Sequence, residues 1–361
     1  MRIVHVINSL STGGAETLVV DLATSMRDLG HEVIIIAIGP GRGVPYETAM
    51  ARELNVRFLG RSPYDVTVLP RLWKALRGAD VVHVHLFPSL YLVALASRKA
   101  HLLYTEHSTW NRRRDKWIFR IADRYAYRKY TQLTAISEGV RESLLRYMST
   151  LKVESSVAVV ANGIGDVFFS SELRMRREAN TNFKLIAVGT LDDRKNFGDA
   201  IRAVAESPSV QLSIVGDGPQ RGHLQDLIES LRVADRIHLL GPSNDVSSLM
   251  STHTALISTS KFEGFSLVAA EAMALGLPVI GPDVPGFNES VLDNITGLLF
   301  DQSQGISAIV DAVRKLREKP GLYSELSGNA LNHAVTFQIG RAVQSYLTLY
   351  EKTILADIDG R

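Results

Sequence analysis

The chain holds 361 residues, 45% hydrophobic and 22% charged, with a formal net charge of +2. That length exceeds one ordinary core and predicts two domains of globular composition. The lack of cysteine excludes disulfides, thiolate metal sites and a cysteine nucleophile, and the near-neutral balance gives nucleic acid no electrostatic footprint.

Residues 2–8 read as an apolar strand. Its run at 3–7 is too short for the core of a signal peptide, and no run is long enough to span a bilayer. Ser11, Thr12, Gly13, Gly14, Ala15 and Glu16 open a helix that ends near Leu29, with Gly30 as its cap. A strand at 31–38 completes a βαβ unit of a parallel sheet. The Gly13-Gly14 turn either lets backbone approach a phosphate or is a plain tight turn. It lacks the Gly-x-Gly-x-x-Gly of a dinucleotide site.

Further strands are expected at 80–86, 102–105, 132–136 and 156–160. His85 falls at the carboxyl end of the first, where open α/β sheets hold ligands. It is a candidate acceptor contact or a water-exposed strand end; His83, two residues back on the same face, also reads as a core histidine. Glu106 and His107 leave the next strand, placed either for chemistry or in a helix-entry loop. Ser137 is a natural N-cap and a candidate acceptor contact.

Residues 110–130 interleave arginine and lysine with aromatics. On a helix, Trp117, Ile118, Ile121, Ala122 and Tyr125 form an apolar stripe, and Arg113, Lys116, Arg120 and Arg124 a basic one. Two compatible readings follow. The stripe packs inward on the sheet, and the basic side, with Arg112, Arg113 and Arg114, meets an anionic membrane or a phosphate-bearing acceptor.

Residues 161–165 and the polar run 170–182 read as an inter-domain linker. The strand–turn–helix pattern then restarts, with a strand at 183–188, a turn from Gly189 to Asn196 and a helix to Glu206. Arg194 and Lys195 in that turn are a diphosphate clamp or surface charge. Strands at 211–215, 236–240 and 278–281 follow, the second ending at Gly241, with helices at 306–318 and 339–355.

The chain is organised around residues 261–278. Phe262, Glu263, Gly264 and Phe265 form a loop, Ser266 caps a helix, and Gly276 and Pro278 stop it. From Leu267 to Leu275 every residue except Glu271 is apolar, so the helix is expected to be buried, and its carboxylate to need a partner. Backbone N–H groups at Gly264, Phe265, Ser266 and Leu267 offer an anion cradle between two carboxylates. A sugar nucleotide would use both features.

The Glu263-x7-Glu271 stretch with Gly264-Phe265 and Leu277-Pro278 resembles the signature of the family-four glycosyltransferases, retaining enzymes of the GT-B fold. The resemblance spans essentially the whole chain. It implies an α/β fold of two doubly wound Rossmann-like domains facing a central cleft. The N-terminal, acceptor-side domain would be 1–165, with 338–361 crossing back to it, and the nucleotide-sugar domain 166–337. It further implies that Glu263 contacts the donor sugar, Glu271 the ribose, and Gly13 and Gly14 the donor phosphates. Backbone at Gly241 would hold the base, His107 would touch the sugar, and Arg194 and Lys195 would stabilise the leaving diphosphate. Thr190 stands after Gly189 where many members carry Arg, and Gly165 replaces the Asp of their Asn-Gly-Ile-Asp linker.

The expected activity is retaining transfer of a sugar from a nucleotide-linked donor, UDP or GDP, to a saccharide or lipid-linked saccharide acceptor. Its expected setting is bacterial surface polysaccharide or lipopolysaccharide assembly, in the cytoplasm or peripherally on the inner membrane face. No metal cofactor is expected, since the one Asp-x-Asp, Asp357-Ile358-Asp359, lies in the tail and cationic side chains can replace a metal. The alternatives are a sugar-nucleotide epimerase or hydrolase of the same fold, a nicotinamide oxidoreductase disfavoured by the missing glycine fingerprint, and a non-catalytic sugar-nucleotide binder.

Overall fold

The computed structural model describes residues 1–11, 13–97, 100–173 and 183–359, without the side chains of residues 112, 320 and 356–359. Thr12 of the first turn, the Arg112 side chain, residues 174–182 of the expected linker and the Asp357 and Asp359 carboxylates lie outside the described residues. The chain divides into two compact units, Met1–Gly163 with Ile339–Arg361, and Ile164–Gln338.

The first unit is built on seven parallel strands: β1 (Arg2–Ile7), β2 (Glu32–Ala37), β3 (Asn55–Phe58), β4 (Val81–His85), β5 (His101–Glu106), β6 (Gln132–Ala135) and β7 (Val157–Val159). Their order is β3-β2-β1-β4-β5-β6-β7. The Val- and Ile-rich central strands suit a parallel sheet covered by helices on both faces. The order reverses beside β1, which pairs with both β2 and β4. Open α/β sheets bind ligands outside the carboxyl ends of strands at such a point. The helix Ile339–Asp359 belongs to this unit: Ile339, Val343, Tyr346 and Tyr350 pack with Ile3, Leu18, Met26 and Leu103.

The second unit repeats the plan with six parallel strands: β8 (Phe183–Val188), β9 (Val210–Val215), β10 (Ile237–Gly241), β11 (Ala255–Ile257), β12 (Val279–Pro282) and β13 (Gly297–Phe300). The order β10-β9-β8-β11-β12-β13 puts its reversal between β8 and β11. Its core joins Phe183, Leu185, Ile201, Leu212, Ile257, Ile280 and Leu326.

Three strands escape the sequence reading: β3, β11 and β13. β11 is only three residues long, too short for a period-2 pattern to show. Arg113, placed on one helical stripe with Lys116, Arg120 and Arg124, lies instead in a 3-10 turn, Arg112–Asp115, which is followed by the helix Trp117–Lys129. A Cβ on Gly163 would lie 2.6 Å from the Ile339 Cα, so this glycine lets the chain leave β7 beside the start of the returning helix. Gly163→Val is expected to destabilise this unit by about 1–3 kcal/mol through overpacking, read as a lower urea midpoint. An unchanged midpoint would show that the backbone yields there freely.

Candidate active site

In the second unit, the exits of β8, β9 and β10 are laced through glycines. Gly189 N donates to Val215 O at 3.0 Å, and Gly216 N to Gly241 O at 2.8 Å. A Cβ on Gly216 would sit 2.0 Å from Gly189 O. Gly189 and Gly241 both hold positive φ, +153° and +81°. The turn after β8 is closed by Asp192, whose Oδ1 accepts from Arg194 N (3.0 Å) and Lys195 N (3.2 Å). Thr259, just past β11, donates through Oγ1 to Lys195 O (3.1 Å) and Asn196 O (2.9 Å). The exits of β8 and β11 are thereby fastened side by side.

That fastening brings Lys195 to Glu263, with Nζ 2.5 Å from Oε1 in a half-buried ion pair. Arg194 does not join them: its guanidinium folds back onto Asp192 (2.7 Å) and stays largely exposed. The loop carrying Glu263 is held from behind by Gly286, φ +85°, where a Cβ would meet Glu263 O and Gly264 O at 2.6 Å. Phe265 turns its ring away to pack on Phe337, centroids 5.2 Å apart, so only its backbone faces the loop's open side. Ser266 caps the helix Leu267–Ala274, its Oγ accepting from Ala269 N at 3.3 Å. A small cavity among Val188, Lys195, Ser258, Ser260, Ser266 and Val268 opens beside this cap.

The expectation that this helix is buried all round needs correction. Ala269, Ala270, Ala272, Met273 and Ala274 are buried, but Leu267, Val268 and Glu271 are half-exposed. Glu271 lies one helical turn beyond Leu267 and Val268, so the three form the open face. Glu271 therefore stands at a surface, on the same face as the helix's first residues.

In the first unit, Asn8 joins the exits of β1 and β4: its Oδ1 accepts from Ser89 N (3.2 Å) and Ser89 Oγ (2.8 Å), and its Nδ2 donates to Phe87 O (2.6 Å). Behind it lies a chain of histidines. His5 Nδ1 is 3.2 Å from His85 Nε2, and His85 Nδ1 is 3.2 Å from His107 Nε2. His83 bonds Tyr350 OH (2.6 Å) and Thr105 Oγ1 (2.7 Å). Nitrogens of His5, His83 and His85 lie within 4.8 Å of one another, a spacing a metal could use; His83 and His85 spend both nitrogens on hydrogen bonds, while His5 Nε2 is buried without a partner. Burial pulls His5 down to about 3 and His107 to about 4, and holds His83 and His85 well below the ordinary range, so all four are neutral.

Several expected roles change here. His85 is fully buried with both nitrogens bonded to histidines, so it supports His107 and reaches no acceptor. The Glu106 carboxylate accepts from the His107 backbone N at 3.2 Å. It is buried against Arg114 (2.5 Å); burial alone would raise its pKa, but the Arg114 and Arg113 charges bring it below its ordinary value. Ser137 is buried and spends its Oγ accepting from Val140 N at 3.2 Å, capping the helix Glu138–Thr150. Arg113 is buried on Asp123 (3.1 Å) and Tyr127 OH (2.7 Å). Arg113 and Arg114 are thus structural, not surface charge. Gly13 caps the helix Gly14–Asp28, and the Glu16 carboxyl curls over it, raised by burial to about 7. Asn8, Asp123 and Gly286 carried no signal in the sequence beyond their residue type.

The histidine chain has a consequence for stability. Its folded-state pKa values lie below the ordinary 6.5, so the unfolded chain binds more protons between the two values. The stabilisation is complete above about pH 6.5 and is lost as pH falls toward 4, at about 1.4 kcal/mol per pH unit for each ring. The urea midpoint is expected to fall between pH 7 and pH 5, less steeply in His5→Phe. Equal slopes in both proteins would contradict the neutral chain.

Residues 171–333 match the family described as Glycosyl transferases group 1, and residues 12–166 match Glycosyltransferase Family 4. Among curated relatives, the N-acetyl-alpha-D-glucosaminyl L-malate synthase of Bacillus anthracis is 24% identical, over 97% of each chain. A lipopolysaccharide core biosynthesis glycosyltransferase, LpsE of Rhizobium meliloti, is 25% identical over 83% of this chain and 85% of its own. Among solved structures, Anabaena Alr3699/HepE, crystallised with UDP and glucose, superposes with a TM-score of 0.85 at 21% identity, covering 97% of this chain and 99% of its own. That likeness identifies the two Rossmann-like units as the GT-B fold. The two family matches, which together span most of the chain, make it a group 1 glycosyltransferase of family 4.

Proposed function

We propose that this glycosyltransferase moves a sugar, with retention of configuration, from a nucleoside diphosphate donor to a saccharide or lipid-linked saccharide. A UDP-sugar is the first donor to test, and surface polysaccharide or lipopolysaccharide assembly at the inner membrane face is the proposed setting. The observation that carries the reading is the Lys195–Glu263 pair at the β8/β11 exits, beside the capped N-terminus of Leu267–Ala274.

Each group then has a task. The helix N-terminus and the amides around Gly264 and Ser266 receive the diphosphate. Lys195, already charged beside Glu263, meets the negative charge that grows as the diphosphate leaves. Glu263, oriented by Lys195, accepts hydrogen bonds from sugar hydroxyls. Glu271, on the open face of the helix, accepts from the ribose. Arg194 can add its charge only by leaving Asp192. The Gly189 and Gly241 turns hold backbone toward the phosphates and base. Gly13 and Gly14 are assigned to the phosphates, and His107, neutral and steadied by His85, to the sugar. With cationic side chains and helix amides facing the diphosphate, the reaction is proposed to need no metal.

A donor panel of UDP-, GDP-, ADP- and dTDP-sugars, assayed for nucleotide release with and without a membrane extract, tests this reading. Release from one donor that rises with extract is expected; release indifferent to extract would favour a hydrolase, and binding without release a non-catalytic binder. Lys195→Met is expected to lower kcat about 10²-fold or more, the usual cost of removing one stabiliser of developing charge. Glu271→Ala is expected to raise the donor KM, with a smaller effect on kcat. Retention of the donor's anomeric configuration in the product, and a rate unaffected by EDTA, complete the expectation. An inverted product or an EDTA-sensitive rate would contradict the corresponding part.

A further inference from the structure

The helix Trp117–Lys129 is turned opposite to the way its apolar pattern suggests. Trp117, Ile118, Ile121 and Tyr125 are 76%, 63%, 74% and 46% exposed. The inward face is Asp123, Ala126 and Tyr127. Asp123 fixes this rotation. Its carboxylate is fully buried and receives Arg113 Nε (3.1 Å), Tyr91 OH (2.6 Å) and Tyr147 OH (2.6 Å). Turning the stripe inward would carry that charge out of its donors and strand Arg113 in the interior. The helix thus presents large apolar side chains to solvent because a buried ionic network outweighs their burial.

Cations surround the stripe. Lys116, Arg120, Arg124, Arg128 and Lys129 are all exposed. Lys129 Nζ lies 5.6 Å from the Tyr125 ring centroid, and Arg120 and Arg128 are steadied by the carbonyls of Thr150 (2.8 Å) and Lys152 (3.2 Å). Asp115 is the one acid exposed between Trp110 and Tyr130. We propose that this face docks the enzyme on an anionic bilayer, with Trp117, Ile118, Ile121 and Tyr125 entering the headgroup region and the basic side chains pairing with lipid phosphates.

The charge pattern chooses the occupant. A second copy seated symmetrically on this face would set cations against cations, whereas an anionic lipid surface complements them. Trp and Tyr suit the interface, where an apolar ring body sits beside a polar edge. Long basic side chains can bury their stems while keeping their charges among the headgroups. A short helix lying in the membrane plane with an apolar face down and cations at its sides needs no span. Among the described residues no helix is long and apolar enough to cross a membrane. The proposal deepens the reading of a lipid-linked acceptor and rests on it for its purpose, though not for its geometry.

The test is co-sedimentation of the full chain with phosphatidylcholine vesicles, with and without phosphatidylglycerol. Wild type is expected to bind the anionic vesicles and to bind neutral ones much more weakly. The double variant Trp117→Ser/Ile121→Ser is expected to lose tenfold or more in partitioning, with an unchanged urea midpoint because both residues are exposed. Arg120→Ser/Arg124→Ser should lose binding steeply at low salt and little at high salt, where the charge contribution is already screened. Undiminished binding of Trp117→Ser/Ile121→Ser, or no binding by wild type, would overturn the proposal. So would a dimer in sedimentation velocity that Ile121→Ser dissolves, which would make the face a self-association surface. Donor binding, measured in parallel, separates this from the proposed function. Loss of vesicle binding with donor affinity intact removes the docking face alone, and absence of any donor binding removes the catalytic reading alone.

Discussion

The ion pair between Lys195 and Glu263 is the contact on which the catalytic account of the second unit depends. It exists because two strand exits are held together by backbone. Asp192 shapes the turn after β8, Thr259 hydroxyl bonds tie that turn to β11, and Gly286 supports the loop from behind. None of those supports is itself a reacting group. Each fixes the backbone from which the paired side chains reach. The pair also keeps Glu263 from being an isolated carboxylate beside the proposed diphosphate site, where it would repel the donor.

Buried polar groups decide the first unit in the same way. A parallel sheet of Val and Ile would pack without four neutral histidines, yet these run from β1 through β4 to His107, and Tyr350 of the returning helix closes one branch. The result is an imidazole at the end of β5 whose tautomer is tied to its neighbours. Around Asp123, a carboxylate with an arginine and two tyrosines sets the rotation of a whole helix. In both places the hydrophobic pattern is satisfied only after the polar one, since an unmet buried charge costs more than an exposed tryptophan or isoleucine saves.

The architecture was largely legible in the sequence. Alternating apolar strands and glycine turns announce two parallel sheets, and the stretch around Glu263 and Glu271 announces a loop leading into a helix with its serine cap. What could not be read has a common cause. Periodicity shows that a helix has two faces but not which one is buried. One of the two readings packed the apolar stripe of Trp117–Lys129 on the sheet, and it is outside because Tyr91 and Tyr147, distant in sequence, bring hydroxyls to Asp123. Arg113 and Arg114 looked like surface charge for the same reason, since their partners Asp123 and Glu106 meet them only in the folded unit. The half-open face of Leu267–Ala274 was hidden because alanine, leucine and valine look alike inside and at a site.

Hydrogen–deuterium exchange with and without saturating UDP tests the central claim most directly, since it reads the donor site without assuming an acceptor. The account predicts slowed exchange in peptides covering the Gly189–Asn196 turn and the Glu263–Glu271 segment, and loss of that protection in Glu271→Ala. Protection confined to other peptides, or none at UDP concentrations that bind the protein, would contradict the assignment of these residues to the donor.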